Sequence, residues 1–155
     1  MTPRERFRKA LHHQEPDRVP IDVGQDHHNG IHEVAYQNLL RHLGETDTIR
    51  RGDLIQHLAV LKPAVLNRLH ADTRHLFANP PAGFPFKVEP DGSWRDEWGV
   101  RRRPCGSYDE TIGHPLAGCA LANVKRYRFP DPLDPGRFRG LRDQARQLHN
   151  STAYA

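Results

Sequence analysis

The stretch that most constrains this chain is residues 15–24, Glu-Pro-Asp-Arg-Val-Pro-Ile-Asp-Val-Gly. Val19, Ile21 and Val23 alternate with other residue types, which predicts one buried β-strand. The two prolines hold the approach to this strand extended, and Gly24 allows a sharp turn after it. Because one strand cannot bury its surface alone, the stretch must belong to a larger domain in which helices flank it.

Helical patterns lie on both sides of that strand. Thr2-Pro3-Arg4-Glu5 is a capping box, which starts a first helix. After the strand, apolar residues recur at helical spacing from Ile31 and stop at Gly44. A second, weaker strand is predicted over 72–77, and residues 152–155 have the pattern of another strand's beginning. This order predicts the first part of an α/β domain.

The middle of the chain has a different residue pattern. Residues 79–85, Asn-Pro-Pro-Ala-Gly-Phe-Pro, exclude regular structure, and Asp91-Gly92 then lies between two segments of alternating large residues. That pattern predicts a β-hairpin. We therefore divide a single domain, 1–155, into an N-terminal helix with the first strand–helix units (1–78), a hairpin excursion (79–118) and helices that lead to the next strand (119–155).

Composition excludes several classes of function. The net charge is +4, yet the arginine runs lie beside acidic residues, so no basic stripe predicts a nucleic-acid partner. No apolar run reaches the roughly 18 residues of a membrane span, and the first residues lack a signal peptide's apolar core. We predict a cytoplasmic protein without a membrane partner. Cys105 and Cys119 are too far apart for a metal knuckle and are predicted to be free thiols.

Five motifs occur in an order that resembles the N-terminal part of the uroporphyrinogen decarboxylase superfamily. They are Thr-Pro-Arg-Glu-Arg at 2–6, Glu-Pro-Asp-Arg-Val-Pro at 15–20, Asp-Gly-Ser-Trp-Arg-Asp-Glu-Trp-Gly-Val at 91–100, His-Pro-Leu-Ala at 114–117 and Tyr-Arg-Phe-Pro-Asp-Pro at 127–132. That superfamily also contains the corrinoid-dependent methyltransferases that act on methylcobamide and coenzyme M. The resemblance covers nearly all of the chain.

This resemblance implies a fold. The family's (β/α)8 barrel needs eight strand–helix units and about 250 residues. We therefore expect an N-terminal fragment of a TIM barrel, of the α/β class, with a β-hairpin insertion. Most of the site would then lie beyond Ala155. The full-length family member would be a lyase or a methyltransferase, and this chain alone is expected to be inactive.

The loop after the first strand separates the branches of the family. Decarboxylases resemble one another in a Met-Arg-Gln-Ala-Gly-Arg type of stretch, whose arginines hold the carboxylates of the substrate, whereas residues 24–30 here read Gly-Gln-Asp-His-His-Asn-Gly. A polycarboxylate substrate favours bidentate guanidinium partners. The resemblance therefore favours the methyltransferase type. The alternatives are a true uroporphyrinogen decarboxylase of porphyrin biosynthesis and a non-catalytic interaction module or inactive fragment.

Asp22, His27 and His28 are the candidates for substrate contact, and no catalytic residue is identified. Asp22 points away from the apolar side of the first strand, where it is either a functional carboxylate or the partner of a helix cap. His28 and His32 are four residues apart, which on a helix suits a metal pair. No cysteine lies nearby, however, and solvated polar residues are common in such a loop, so we predict no metal site.

Two acids, Asp96 and Glu97, lie between Trp94 and Trp98. Adjacent residues of a strand face opposite ways, so we predict that the tryptophans pack and that one acid pairs with the arginines at 101–103.

Cofactors and partners follow from the resemblance. We expect no cofactor in this chain. A full-length methyltransferase-like enzyme would need zinc, held by a His and two Cys further downstream, and a corrinoid protein as partner. A small-molecule substrate is the other expected partner, and the oligomeric state stays open.

Overall fold

The computed structural model of this protein describes residues 1–24 and 27–155. The chain divides into two compact units, of which the first contains residues 1–77 and 140–155 and the second contains residues 78–139. Each is described by itself.

Unit 1 is built on helices. The helix α1 (Pro3–Leu11) begins at a capping box in which the Thr2 hydroxyl accepts from the Glu5 N–H and the Glu5 carboxylate accepts from the Thr2 N–H, as the sequence predicts. Helix α2 (Glu33–Leu43) ends at Gly44, which has a positive φ of 67°. The unit also contains α3 (Pro63–Arg68) and α5 (Leu141–Ser151).

The core of unit 1 lies against one side of α2. Strands β1 (Arg51–Asp53) and β2 (Leu58–Ala59) pair antiparallel, and β2 is fully buried. The buried apolar side chains are Tyr36, Leu40, Ala59, Leu61, Val65, Leu66 and Ala71, with Val23, Ile31, Leu39, Leu43, Ile49 and Leu69 partly buried against them. This core holds the segments around residues 21–24 and 71–73, which carry the polar groups discussed below.

Unit 2 is organised around a three-stranded antiparallel sheet. Strands β3 (Trp94–Arg95), β4 (Arg101–Cys105) and β5 (Tyr108–Gly113) pair in chain order. Helix α4 (Leu121–Arg126) follows, and then a 3-10 helix (Pro135–Phe138). Trp94 is buried, and its indole N–H donates to the Asp109 carboxylate.

The prediction of a TIM-barrel fragment is wrong. The described residues form two small antiparallel sheets of two and three strands, and they close no barrel. Residues 19–23 are not a strand, and residues 72–77 and 152–155 are not strands either. These segments meet through three backbone hydrogen bonds, from Asp72 N–H to the Ile21 carbonyl (2.7 Å), from Ala155 N–H to the Asp72 carbonyl (2.9 Å) and from Arg74 N–H to the Ala155 carbonyl (2.9 Å).

Local polar chemistry explains this departure. The Ile21 N–H, which a strand ladder would use, donates instead to the side chain of Asp72, at 2.8 Å. Pro20 has no N–H to offer. A side chain therefore takes the place of a neighbouring strand, and the segment stays extended without becoming part of a sheet.

The hairpin prediction misplaces the pairing. Around the Asp91-Gly92 turn, Val88 and Trp94 form an isolated antiparallel bridge, and the Glu89 N–H donates to the Ser93 carbonyl at 2.7 Å. The predicted second arm, 94–103, is divided by a turn in which Gly99 has a φ of 71°, and the longest pairing is β4 with β5. Along the described chain, no helix has the length and apolar character to cross a membrane.

Candidate functional site

Asp22 is the centre of a group of polar side chains in unit 1. Its Oδ2 accepts a hydrogen bond from Asn29 Nδ2 at 2.6 Å, and its Oδ1 lies 2.7 Å from His75 Nε2. The Thr73 hydroxyl donates to the same Oδ1. We call Asp22, Asn29, Thr73 and His75 the Asp22 cluster. The Asp22 side chain is 44% exposed, so the cluster opens to solvent.

Asn29 and His75 can both reach Asp22 because Gly24 has no side chain. Gly24 is buried, and its N–H donates to the Asn29 carbonyl at 3.2 Å. A Cβ at this position would lie 2.5 Å from Asn29 Oδ1 and 2.6 Å from His75 Cε1. Real Cβ atoms do not approach other atoms so closely, so any other residue here would push Asn29 or His75 away from Asp22.

The hydrogen bonds keep Asp22 ionised. Burial tends to raise the pKa of its carboxyl, but the hydrogen bonds from Thr73, His75 and Asn29 outweigh burial and hold that pKa below its usual value. An ionised carboxylate only accepts hydrogen bonds, so Nε2 of His75 carries the proton that they share. A carboxylate that orients an imidazole in this way can hold and pass a proton.

One atom of the cluster lacks a partner. Asn29 Oδ1 is buried, and no hydrogen bond to it occurs among residues 1–24 and 27–155. Buried polar atoms are hydrogen-bonded in the great majority of cases. The Asn29 amide thus binds Asp22 through its nitrogen, while its buried oxygen has no hydrogen-bond partner among the described residues.

A second group of charges lies beside the first. Asp72 is 1% exposed, and its carboxylate accepts from Arg6 Nη1 at 2.5 Å, from Arg18 Nη1 at 2.7 Å and from the Ile21 N–H at 2.8 Å. Arg6 also binds the carboxylate of Asp17 through two nitrogens, at 2.6 and 2.8 Å. We call Arg6, Asp17, Arg18 and Asp72 the arginine cluster.

This arginine cluster is structural. Burial tends to raise the pKa of Asp72, but the Ile21 N–H and the two arginines hold it below its usual value. The pKa of Asp17 lies below its usual value, and the hydrogen bonds from Arg6 are the largest cause. The cluster explains the Glu-Pro-Asp-Arg motif physically, because Asp17 and Arg18 connect α1 to the segment that carries Asp72. Both guanidinium groups are turned toward carboxylates of the protein itself.

The structure does not place His28 and His32 together on one helix, as a metal-binding pair would require. His27 Nδ1 lies 3.5 Å from Asp53 Oδ2 and 3.3 Å from Gln56 Nε2. His28 is exposed in a turn that precedes α2, and His32 is the residue that caps α2, accepting from the Val34 N–H at 3.2 Å. His28 and His32 therefore do not share a helix.

The residues around Asp22 include one that sequence reasoning missed. His75 is 53 residues from Asp22, and only the tertiary structure brings the two together. Thr73 and His75 do alternate within the predicted strand at 72–77, which would place them on one face. That spacing was the only signal, and it did not indicate which face would meet Asp22. Asp26, another polar residue of the loop, lies outside the described residues.

The acids of unit 2 have arginine partners. Asp96 Oδ2 accepts from Arg102 Nη2 at 3.0 Å, as the sequence predicts, and Glu97 pairs with Arg137. Trp94 is buried, whereas Trp98 is 49% exposed and makes an edge contact with Phe129. These acids stabilise unit 2 and do not converge on a common ligand.

Comparisons with known proteins leave the family open. No family model matches the chain, and no match is found among curated proteins or among solved structures. Any assignment of function therefore rests on the motifs and on the geometry of the site.

Proposed function

We propose that this chain belongs to a uroporphyrinogen-decarboxylase-like enzyme of the corrinoid-dependent methyltransferase type, and that the Asp22 cluster contributes to its substrate site. The ordered motifs support the family. The chemistry of the Asp22 cluster supports the branch, and it is the observation that carries the proposal.

The first step concerns charge. Residues 24–30, which stand where the decarboxylases have an arginine stretch, contain no arginine. The adjoining Asp22 cluster consists of a carboxylate, an amide, a hydroxyl and an imidazole. Arg6 and Arg18 of the arginine cluster bind Asp17 and Asp72. A polycarboxylate substrate would meet the negative charge of Asp22 and no free guanidinium of the arginine cluster, so its binding here would be unfavourable.

The second step concerns proton handling. Asp22 orients His75 through the 2.7 Å contact, and Gly24 leaves room for this contact to form. In such a pair the carboxylate fixes the imidazole tautomer and stabilises the imidazolium when it forms. The pair would accordingly position a substrate group and take or return one proton. This role needs no guanidinium.

Zinc does not fit the described part of the chain. Methyl transfer in this branch uses zinc and a corrinoid protein, but residues 1–24 and 27–155 contain no group of three or more His, Cys, Asp and Glu side chains that could hold a metal ion. We therefore derive no step through zinc. The corrinoid protein is a proposed partner.

The test uses the protein tagged at its chromosomal locus and purified from its own cells. One sample receives methylcob(III)alamin with a thiol acceptor and zinc, and a second receives uroporphyrinogen. The proposal predicts loss of the methylcobalamin absorbance with formation of the thioether, and no decarboxylation. The Asp22→Asn variant should transfer methyl groups at least about tenfold more slowly, and Asp131→Asn in unit 2 is the matched control.

Two outcomes contradict the proposal. Decarboxylation of uroporphyrinogen without methyl transfer would favour the decarboxylase alternative. Absence of both activities in correctly folded protein would favour the non-catalytic interaction module.

A further inference from the structure

The hydrogen-bonding capacity of Asp22 is not exhausted. An ionised carboxylate offers about four acceptor positions on its two oxygens. His75 and Thr73 occupy Oδ1, whereas among the described residues Oδ2 receives one hydrogen bond, the 2.6 Å bond from Asn29. Because the side chain is 44% exposed, a ligand can approach the remaining position from solvent.

Among residues 1–24 and 27–155, no lysine or arginine nitrogen lies within ion-pair distance of the Asp22 carboxylate. The ring nitrogen of His75, at 2.7 Å, carries a positive charge only when the imidazole is protonated. Arg18, only four residues away in sequence, binds Asp72 at 2.7 Å. The negative charge of Asp22 is thus available to an external group.

The other side chains of the cluster orient Asp22. The Asn29 amide is held by Asp22 through its nitrogen, and its oxygen is buried, so a ligand from solvent does not reach that oxygen. The donors of Thr73 and His75 are already directed at Asp22. What the cluster offers to a ligand is therefore the acceptor capacity of Asp22.

We propose that the Asp22 cluster binds the hydrogen-bond-donating end of a small ligand, an ammonium or a hydroxyl group, and that it rejects carboxylates. This inference names the substrate class for the site of the proposed function and rests on that function for its place in a reaction. A charge-assisted hydrogen bond to Asp22 supplies the affinity, and the missing guanidinium supplies the selectivity.

The direct test is an NMR titration of the isotopically labelled full chain. The probes are ethylammonium, ethanol, tetramethylammonium and acetate. Ethylammonium or ethanol should produce saturable shifts of the Asn29 side-chain amide and the Asp22 carboxyl carbon. Whichever of these two probes binds more tightly identifies the donor as charged or neutral. Tetramethylammonium has the charge without an N–H, and it should bind at least about tenfold more weakly than ethylammonium.

Variants separate binding at Asp22 from general surface effects. Asp22→Asn should weaken ethylammonium binding at least about tenfold. Thr73→Val removes one donor to Asp22 while keeping the charge, which frees an acceptor position on Oδ1, so ethylammonium binding should be strengthened and a weaker binding would contradict the inference. This second variant keeps the test decisive even where Asp22→Asn loses its fold.

Three results would overturn the inference: saturable binding of acetate at these resonances, equal binding of ethylammonium and tetramethylammonium, or undiminished binding in a folded Asp22→Asn variant. The readout does not depend on catalysis. If methyl transfer fails but ethylammonium or ethanol still binds, the proposed function is wrong and the inferred ligand class is retained. Methyl transfer without donor binding would remove the ligand class alone.

Discussion

Asp22 and Asp72 lie on extended segments that touch, since Asp72 N–H donates to the Ile21 carbonyl and Thr73 donates to Asp22, yet their partners differ in kind. Asp72 is 1% exposed and is neutralised by two guanidinium groups, whereas Asp22 is 44% exposed and accepts from an amide, a hydroxyl and an imidazole. The charge of the donors, together with exposure, decides whether a carboxylate stabilises the fold or remains available to a ligand.

The largest effect is expected in the arginine cluster. Asp72→Ala removes the buried carboxylate that Arg6 and Arg18 share, and it leaves the Ile21 N–H without its acceptor. Removing one partner of a buried ion pair costs about 3 kcal/mol or more in the free energy of unfolding. Urea denaturation followed by circular dichroism measures it.

A matched control sharpens this prediction. Asp22→Ala removes a carboxylate from the adjacent segment, but it should cost less than about 1 kcal/mol, because nearly half of that side chain is exposed. Equal losses in the two variants would remove the distinction between the two clusters.

The next effect concerns Gly24. Gly24→Ala introduces a methyl group at 2.5 Å from Asn29 Oδ1 and 2.6 Å from the His75 ring. Overpacking of this kind costs about 1–3 kcal/mol, and it should also separate His75 from Asp22. Nuclear Overhauser contacts between Asp22 and His75 and the unfolding free energy report the two consequences.

A double variant, Asn29→Ala with Gly24→Ala, tests whether the close approach to Asn29 causes the loss of stability in Gly24→Ala. Removal of the Asn29 amide relieves part of the clash, so the double variant should lose less stability than the sum of the two single variants. Simple additivity would mean that Gly24 acts through something other than this close approach.

The third effect depends on pH. The pKa of Asp22 is lowered in the folded state, so its contribution to stability is complete above the ordinary aspartate value of about 4. It is lost as the pH falls through the lower, folded-state pKa. The difference in unfolding free energy between the wild type and Asp22→Asn should shrink as the pH falls below about 4. Its full size should stay under about 1 kcal/mol.

The contrary result is clear. A difference that grows as the pH falls below about 4 would mean that the folded state raises the pKa of Asp22, and the assignment of an ionised carboxylate would then be wrong.

The smallest effect is expected at His27. Its side chain is 54% exposed and lies 3.5 Å from Asp53. His27→Ala should change the unfolding free energy by no more than about 0.5 kcal/mol, and it should leave the Asp22 carboxyl resonance where it is. A shift of that resonance would show that His27 interacts with Asp22 and belongs to the site.

The sequence predicts local structure better than tertiary structure here. The Thr2–Glu5 capping box and the Gly44 stop depend on residues within one turn, and both predictions are confirmed. The strand predicted at 19–24 is wrong, because its backbone N–H at Ile21 is taken by a carboxylate 51 residues away. Periodicity does not reveal such a competitor.

The same limit applies to the site. Asp22 could be selected from its position between Ile21 and Val23, but His75 could not, because their contact spans 53 residues. The arginines of the early motifs could equally have faced a substrate. Only the distances of Arg6 and Arg18 to Asp72 show that they serve the fold.

The most direct measurement follows the side-chain carboxyl carbons of Asp22 and Asp72 in one sample during an ethylammonium titration. We predict a saturable shift at Asp22. We predict no shift at Asp72, because Arg6, Arg18 and the Ile21 N–H already donate to its carboxylate. A shift at Asp72, or none at Asp22, would contradict the division between a structural and a ligand-binding carboxylate.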